Sequence, residues 1–579
     1  MKVSEALPEN LQILQDANIY THGHLPIAAA FCRRLGLVHL VNRMVPSQMQ
    51  LKPGHLVQAM VLDTLSGRTP LYRIEHFMAE QDIELLIGTS VPASLFNDTN
   101  LARGLDSIFD AGPSKIVTQV GIEAVKEFSL NTQSVSYDTT STNVWGDYSL
   151  CKNEDPPPGP NITYGYSKDH RPDLKQFMTE LLCVDRGVPI FGQVLDGNSS
   201  DKTSNNKMLT RISAIMAKHG LGTGAFVYVA DSAMVTEANL ATIGENRFIS
   251  RLPASYKECK HAINEAVTAN CWTDLGTLAE SPSEDKKPVA TYKIYETSVT
   301  LHEIPYRAVV VHSSAHDKRR KKRLEKAITA SSKELRTALS GIETVYFCQA
   351  DAVAAAKRAR GCSSRLHQVK TTIDSFTVRK RGRPSATKPA STTTRYRLSW
   401  ELELDTQAVE REKQIAGCFV LLCNVPVDGE GYMDGEKVLK TYKGQYGIES
   451  DFAFLKDPLI VNDVFLKKPH RIEVLGMILI IALTVWRLME RSMRVYLQNR
   501  NTTIEGWEKR RTKKPTAFMM TTVITGFMVA HTGMGRILLR KPTKRQDDFL
   551  TALGLKYQVF LDHRFKCQPV IPLYSDQKG

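Results

Sequence analysis

Four polar side chains recur at helical spacing late in the chain: Tyr442, Gln445, Glu449 and Lys456. At about 100° per residue, one helix would place all four within an arc of about 60°. That face would carry a phenol, an amide, a carboxylate and an ammonium in a row, with an apolar stripe beside it. An ordinary amphipathic helix has the same polar face, so the spacing alone leaves both interpretations open.

Two aspartates end short apolar runs with β-strand character. Asp138 ends residues 134–138, and Asp231 ends residues 225–231. Ligands of open α/β sheets bind at the edge where such strands end. Each residue also has a simpler explanation: a strand-end or turn role for Asp138, and a helix-cap role for Asp231.

The segments around these carboxylates predict a mixed α/β sheet. Residues 177–185 and 188–195 predict a hairpin, followed by a helix at 206–218 and a strand at 225–231. A helix at 236–243 and a strand at 247–251 complete the unit.

Periodicity and charge predict four regions. Residues 1–130 have helical spacing, which fits a DNA-end-reading or dimerisation module and a packing role equally well. Residues 131–253 form the sheet. Residues 254–436 interrupt it with strands and a helical pair at 317–340 and 343–368. Residues 437–579 contain the Glu449 helix and a basic helical region.

The positive charge is concentrated in two places. The chain has a net charge of +14, and residues 317–384 hold 18 Lys/Arg against 6 Asp/Glu. Residues 464–579 hold 21 against 8, so the remainder is net negative. Basic regions on a non-basic body are typical of a protein that binds a polyanion.

Neither long apolar stretch predicts a membrane span. Residues 474–486 and 517–530 are shorter than the ~18–20 residues that a bilayer requires, so we expect buried helices. The N-terminal residues lack the apolar core of a secretory signal. We therefore expect a cytoplasmic, nucleoid-associated protein without a membrane partner.

The late stretch resembles the Y-x2-R-x3-E-x6-K signature of bacterial insertion-sequence transposases of the DDE type. Tyr442, Glu449 and Lys456 match its spacing, while Gln445 stands where the family usually has arginine. The resemblance covers roughly residues 10–560 and includes four other segments: YDTT at 137–140, YGYSKDHRPDLKQ at 164–176, GNxxD at 197–201 and VADSA at 229–233.

The resemblance implies an RNase H-like core interrupted by a β-rich insertion. It places the first catalytic Asp on the first strand, the second after the fourth strand and the Glu on a later helix. These positions correspond to Asp138, Asp231 and Glu449. The long gap between Asp231 and Glu449 is then filled by the insertion at 254–436.

The implied chemistry is metal-dependent DNA cleavage and strand transfer. Two Mg²⁺ ions, which Mn²⁺ can replace, activate the attacking oxygen and stabilise the leaving one. Asp138 would bridge both ions, while Asp231 and Glu449 would each hold one. The nucleophile is water for nicking and a DNA 3′-hydroxyl for joining. Tyr442, Gln445 and Lys456 would contact phosphates near the scissile bond.

The implied partners are the terminal inverted repeats of the element and the target DNA, bound by a homodimer or higher oligomer. Lys168 and Arg171 are candidate DNA contacts in a polar loop that solvation would also explain. Arg381 and Arg383, in an Arg-Gly-Arg-Pro sequence, resemble an AT-hook that enters an A·T minor groove. A basic loop that contacts only phosphates remains the alternative. The six cations at 318–323 predict phosphate contacts without sequence readout.

Two rival functions fit the same sequence. One is a non-catalytic protein, derived from a transposase, that only binds DNA ends. The other is an RNase H-like nuclease that cuts without strand transfer.

Overall fold

The computed structural model describes residues 17–67, 69, 73–146, 148, 158–222, 224–278, 289–379, 392–457 and 466–568. The chain divides into two units that mix helices and strands. The first unit comprises Met1–Ser250 with Thr441–Gly579, and the second comprises Arg251–Lys440. The second unit is a few residues wider at each end than the predicted insertion, 254–436.

The first unit begins with helices, as the periodicity predicts. Asn97 caps one of them by accepting the backbone N–H of Asn100 at 2.9 Å, and Gly112 follows its last residue. The elements are β1 (Asn18–Tyr20), α1 (Leu25–Arg34), α2 (Leu37–Met44), α3 (Pro53–Leu65), α4 (Ile74–Ala79), α5 (Ile83–Ile87), α6 (Asp98–Ala111) and α7 (Pro113–Phe128). The strand β1 was not predicted, because its pairing partner lies at the other end of the chain.

A mixed sheet follows these helices. Its elements are β2 (Ser134–Val144), β3 (Lys175–Val184), β4 (Val188–Leu195), α8 (Asp201–Lys218), β5 (Val227–Ala230), α9 (Glu237–Ile243) and β6 (Arg247–Arg251). The strand order in this unit is β4-β3-β2-β5-β6. Strands β2, β3 and β4 are antiparallel, whereas β5 runs parallel to β2 and β6 runs parallel to β5.

The predicted hairpin is confirmed between β3 and β4. Arg186 and Gly187 have φ values of +68° and +108°, so the chain reverses through the left-handed region. The predicted helix at 206–218 starts earlier, at Asp201. Ser200 caps it by accepting the backbone N–H of Thr203 at 3.3 Å.

The second unit contains two separate sheets, with strand orders β13-β9-β8-β7 and β10-β12-β11. Its elements are α10 (Lys257–Ala269), β7 (Thr273–Thr277), β8 (Thr291–Leu301), β9 (Ile304–Ser313), α11 (Ser314–Ser340), β10 (Val345–Tyr346), α12 (Gln349–Gly361), β11 (His367–Arg379), β12 (Thr392–Leu404), α13 (Thr406–Ile415), β13 (Cys418–Cys423) and α14 (Gly435–Lys443). The last helix continues into the first unit.

The predicted helix at 343–368 is wrong at both ends. Only α12 is helical, and the Cys348 sulfur caps it by accepting the backbone N–H of Asp351 at 3.3 Å. His367 and Gln368 already pair with β12, opposite Leu404 and Glu403. The alanine spacing of α12 was extended too far in the prediction, because it gives no information about pairing with Leu404 and Glu403, which lie 37 and 35 residues after their partners.

The first unit resumes after α14 with helices and short strands. These are α15 (Tyr446–Leu455), α16 (Pro469–Asn499), β14 (Ile504–Glu505), β15 (Arg511–Thr512), α17 (Ala517–Ile524), β16 (Val529–Thr532), β17 (Gly535–Leu538) and α18 (Lys544–Ala552). The predicted helix at 517–530 ends early, because the chain turns at Gly526, with φ +87°, into β16. Strand β16 pairs with β1 and β17.

The predicted buried helix at 474–486 is confirmed within α16. This helix has the length and hydropathy of a membrane span, but 89% of its apolar window is buried in the protein. It packs against β4 and against helices α1, α3, α6 and α7, so it is the central helix of the first unit. Its apolar residues therefore form part of the hydrophobic core of the first unit.

Candidate active site

Asp138 and Asp231 lie on neighbouring strands of the sheet in the first unit. Strand β2 continues past Asp138 to Val144, so the predicted strand end at Asp138 is wrong, whereas β5 ends just before Asp231 as predicted. Asp138 is in β2, and Asp231 directly follows β5, the parallel neighbour that pairs Ser136 with Val229. The Asp138 carboxylate accepts the backbone N–H of Thr139 at 2.7 Å. The parallel register thus brings together two carboxylates that are far apart in sequence.

Asp231 also has the cap role that the sequence left open. Its carboxylate accepts the backbone N–H of Ala233 at 3.0 Å, at the start of the short 3₁₀ helix Ser232–Met234. One carboxylate oxygen is used in this cap, so the cap fixes the orientation of the side chain at the sheet edge.

A third carboxylate joins this edge from α8. Asp201 accepts a hydrogen bond from the Thr139 hydroxyl at 2.5 Å. Its negative charge raises the pKa of both Asp138 and Asp231. Asp201 was part of the quoted GNxxD segment, but no role was predicted for it. That segment was the signal that could have identified it. We call Asp138, Asp201 and Asp231 the carboxylate cluster.

The Lys168 ammonium lies within this cluster. Its Nζ donates to the Thr139 carbonyl at 2.6 Å, and it lies 3.3 Å from Asp201 Oδ1 and 3.8 Å from Asp138 Oδ1. The polar loop of Lys168 therefore turns this residue toward the carboxylates. Its predicted DNA contact stays a prediction.

Burial has the largest effect on the pKa values of Asp138 and Asp231. Burial raises the pKa of Asp138 to about 7, against the lowering effect of Lys168 and the backbone N–H of Thr139. Burial also raises the pKa of Asp231, and the charge of Asp201 adds to this shift. Desolvated, mutually repelling carboxylates bind protons or cations readily.

The predicted single helix from Tyr442 to Lys456 is wrong. Helix α14 ends at Lys443 and α15 begins at Tyr446, with a turn at Gly444 and Gln445 between them. Tyr442, on α14, thus does not share a helix with Glu449, whereas Gln445 directly precedes the Glu449 helix. Within α15, a Cβ atom at Gly447 would lie 2.5 Å from the Arg186 carbonyl oxygen, so only glycine fits where this helix approaches the β3–β4 turn.

Glu449 and Lys456 lie at opposite ends of α15. The helix packs against β2 and α16, and the Glu449 side chain is exposed. Lys456, which directly follows the helix, pairs with Asp169 at 2.6 Å. Asp169 is the neighbour of Lys168, so α15 is tied to the loop whose lysine enters the carboxylate cluster.

Two of the predicted ligands fit Mg²⁺ chemically. Asp138 and Asp231 present hard carboxylate oxygens in a partly buried position, and such oxygens are the ligands that this ion prefers. Within the described ranges, however, no three His, Cys, Asp or Glu side chains are arranged to ligate one metal ion. The structure therefore brings the two aspartates together but does not bring Glu449 into a common ligand set with them.

A buried ion pair, absent from the predictions, fixes the position of α15. Asp451 is fully buried and accepts the Arg487 guanidinium of α16 at 2.5 Å. The Cys183 thiol of β3 lies 3.5 Å from the other oxygen of the same carboxylate. Burial lowers the pKa of Arg487, but Asp451 and Glu490 raise it overall, so this guanidinium stays charged.

An exposed aromatic group flanks the polar loop. Trp145, Tyr164 and Tyr166 are 56%, 57% and 84% exposed. The Arg171 guanidinium lies 5.4 Å from the Trp145 ring centroid, and the Lys175 ammonium lies 5.9 Å from that of Tyr164. The structure thus places predicted Arg171 on a surface where rings alternate with cations, and Arg171 also pairs with Asp173 at 2.7 Å.

The remaining predicted DNA contacts belong to the second unit. The cations at 318–323 lie on α11, and all of them except Arg320 are exposed. Lys321 pairs with Asp317 at 2.9 Å, and Lys318, Lys322 and Arg323 are among the others. Arg381 and Arg383 lie outside the described residues, just beyond the end of β11.

One comparison with known proteins gives a match, and it lies outside this site. Residues 17–122 match a domain of unknown function, DUF4277, which corresponds to the segment from β1 into α7. No curated protein matches the chain.

Replacing Asp451 by Ala should destabilise the first unit. The change leaves the Arg487 guanidinium buried without its main partner, which typically costs about 3–5 kcal/mol. Urea unfolding would measure this loss. The matched control is Glu123→Ala, which removes a partly exposed pair with Lys126 and should cost less than about 1 kcal/mol. Equal losses in the two variants would contradict a structural role for the buried pair.

Asp138→Asn should stabilise the protein in EDTA at neutral pH. A folded pKa of about 7, above the ordinary 3.8, makes ionised Asp138 unfavourable in the native state. The loss of folding free energy caused by ionised Asp138 is absent below pH 3.8, grows as the pH rises and is complete above about pH 7. We expect a gain of about 1–3 kcal/mol at pH 8 and none at pH 3.5. Chemical unfolding at both pH values tests this, and a pH-independent difference would contradict it.

Proposed function

We propose that this chain is a DDE transposase that cuts and joins the DNA ends of its own insertion sequence. The observation that carries the proposal is the carboxylate pair at the sheet edge. Asp138 and Asp231 come from adjacent parallel strands, are largely desolvated and have raised pKa values. Perturbed carboxylates that converge from distant sequence positions are typical of catalytic centres.

The topology of the first unit supports an RNase H-like core. Asp138 lies on the first strand of its mixed sheet, Asp231 follows the fourth, and Glu449 lies on a later helix. This is the order that the resemblance implies. The second unit separates Asp231 from Glu449 along the chain, as the insertion of such transposases does.

Each residue of the site would have a separate role in the proposed reaction. Asp138 and Asp231 would hold Mg²⁺, which supplies Lewis-acid stabilisation of the attacking and leaving oxygens. Glu449 is exposed on α15, so it is accessible to a ligand or to DNA. Lys456 directly follows the same helix and carries a cation suited to a backbone phosphate.

The surface around the site supports a nucleic-acid substrate. Exposed rings interleaved with Arg171 and Lys175 suit unpaired bases and their phosphates, because rings stack on bases while cations attract the backbone. The exposed cations of α11 would add phosphate contacts in the second unit. We retain Arg381 and Arg383 as proposed contacts to A·T-rich DNA.

Cleavage and joining test the catalytic assignment. The substrate is DNA carrying the inverted repeats that flank the coding sequence, incubated with Mg²⁺ and analysed for 3′-end cleavage and joined product. Asp138→Asn, Asp231→Asn and Glu449→Gln should each lower both products by at least about 10²-fold, because each removes negative charge that a metal ion needs.

The control is Glu245→Gln, an equal charge change at an exposed residue, which should leave activity unchanged. An unchanged rate in any of the three variants would remove that residue from the triad. Binding without cleavage by the wild type would favour the non-catalytic DNA-end-binding protein. Cleavage without joined product would favour the nuclease.

The exposed cations of α11 should govern the salt dependence of DNA binding. Replacing Lys318, Lys322 and Arg323 by Gln should make the slope of log K against log salt shallower by about 2.7, since each phosphate contact contributes about 0.9. A filter-binding or fluorescence titration at several salt concentrations measures it. The charge-retaining control replaces both lysines by Arg and Arg323 by Lys. An unchanged slope in the Gln variant would show that these residues do not contact DNA.

A further inference from the structure

We propose that Lys168 is an internal counter-cation of the carboxylate cluster and competes there with a divalent metal ion. Metal binding would displace the ammonium from the cluster and free it for a DNA phosphate. The inference rests on the proposed function only in taking Asp138 and Asp231 as metal ligands. It can fail while the transposase assignment stands.

The surroundings of Lys168 Nζ have the chemistry of a cation site. Four oxygens surround it: the Thr139 carbonyl at 2.6 Å, the Thr139 hydroxyl at 3.2 Å, Asp201 Oδ1 at 3.3 Å and Asp138 Oδ1 at 3.8 Å. An ammonium and a hard metal ion both seek such oxygens. Because Asp138 would serve both cations and Asp201 and Asp231 lie beside it, one cation hinders the binding of the other.

The charge balance of the cluster supports competition. Asp138, Asp201 and Asp231 repel one another at close range, and the Lys168 charge opposes the pKa increase at Asp138 and at Asp231. Among the described ion pairs, Lys168 is the partner of both Asp138 and Asp201. A divalent ion that enters beside the ammonium meets a like charge in a partly desolvated site, which costs more there than in water.

The backbone of Lys168 is held independently of its ammonium. Its N–H donates to the Ser141 hydroxyl of β2 at 3.1 Å, and the next residue, Asp169, pairs with Lys456. The side chain can therefore leave the carboxylates while the loop stays in place, since lysine has a flexible four-carbon stem.

Metal affinity without DNA tests the competition. In Lys168→Met, Mn²⁺ should bind about tenfold more tightly than in the wild type, because a nearby like charge has been removed. The measurement is calorimetry, or the electron paramagnetic resonance signal of free Mn²⁺. The matched control is Lys202→Met, which removes an exposed ammonium beside Asp201 and should change the affinity less than about twofold. Adding Asp138→Asn to Lys168→Met should abolish the gain.

A labelling measurement on the wild type covers the case in which Lys168→Met fails to fold. Acetic anhydride labels free lysines, and mass spectrometry reports each position. Labelling of Lys168 should rise several-fold when Mn²⁺ is added, while labelling of Lys202 should not change. Equal Mn²⁺ affinity in wild type and Lys168→Met, or unchanged Lys168 labelling with Mn²⁺ present, would overturn the inference. Neither result bears on DNA cleavage, which the triad variants test separately.

Discussion

The buried ion pair between Asp451 and Arg487 is the constraint on which the geometry of the candidate site depends. It joins α15, which carries Glu449, to α16, the long helix around which the first unit packs. A charge removed from water is stable only when its partner is present, so the pair defines one docked position for α15. The Cys183 thiol of β3 contacts the same carboxylate, and this contact links α15 to the sheet that carries Asp138.

The ion pair joins residues that are far apart in sequence, and the sequence could predict only those parts of the site that do not depend on such contacts. Local patterns placed Asp231 correctly after a strand and Asp138 correctly on one, although β2 continues past Asp138, because alternating apolar residues and a tight Arg186–Gly187 turn act over short distances. The break at Gly444 was not predictable in the same way. Nor was the close approach of Gly447, in α15, to the Arg186 carbonyl, a contact between residues that are remote in sequence. Helical periodicity carries no information about such contacts.

The distinction between local patterns and long-range contacts also applies to the fold. The hairpin and the buried character of α16 follow from local signals and were predicted. The strands β1 and β11 were missed, because each pairs with a segment whose identity no local pattern reveals. Alanine spacing similarly predicted a helix through His367, where pairing with β12 decides the structure. Long-range pairing overrides local propensity at these positions.

The polar loop connects the two halves of the candidate site. Lys168 reaches the carboxylate cluster, and its neighbour Asp169 pairs with Lys456, which follows the Glu449 helix. A change in charge at the cluster therefore acts on a loop that also contacts the end of α15. Since the Asp451–Arg487 pair anchors the middle of α15, such a change would act mainly on the end that carries Lys456. The two ion pairs of adjacent loop residues thus link cation binding at the sheet edge to the helix that bears the third proposed catalytic carboxylate.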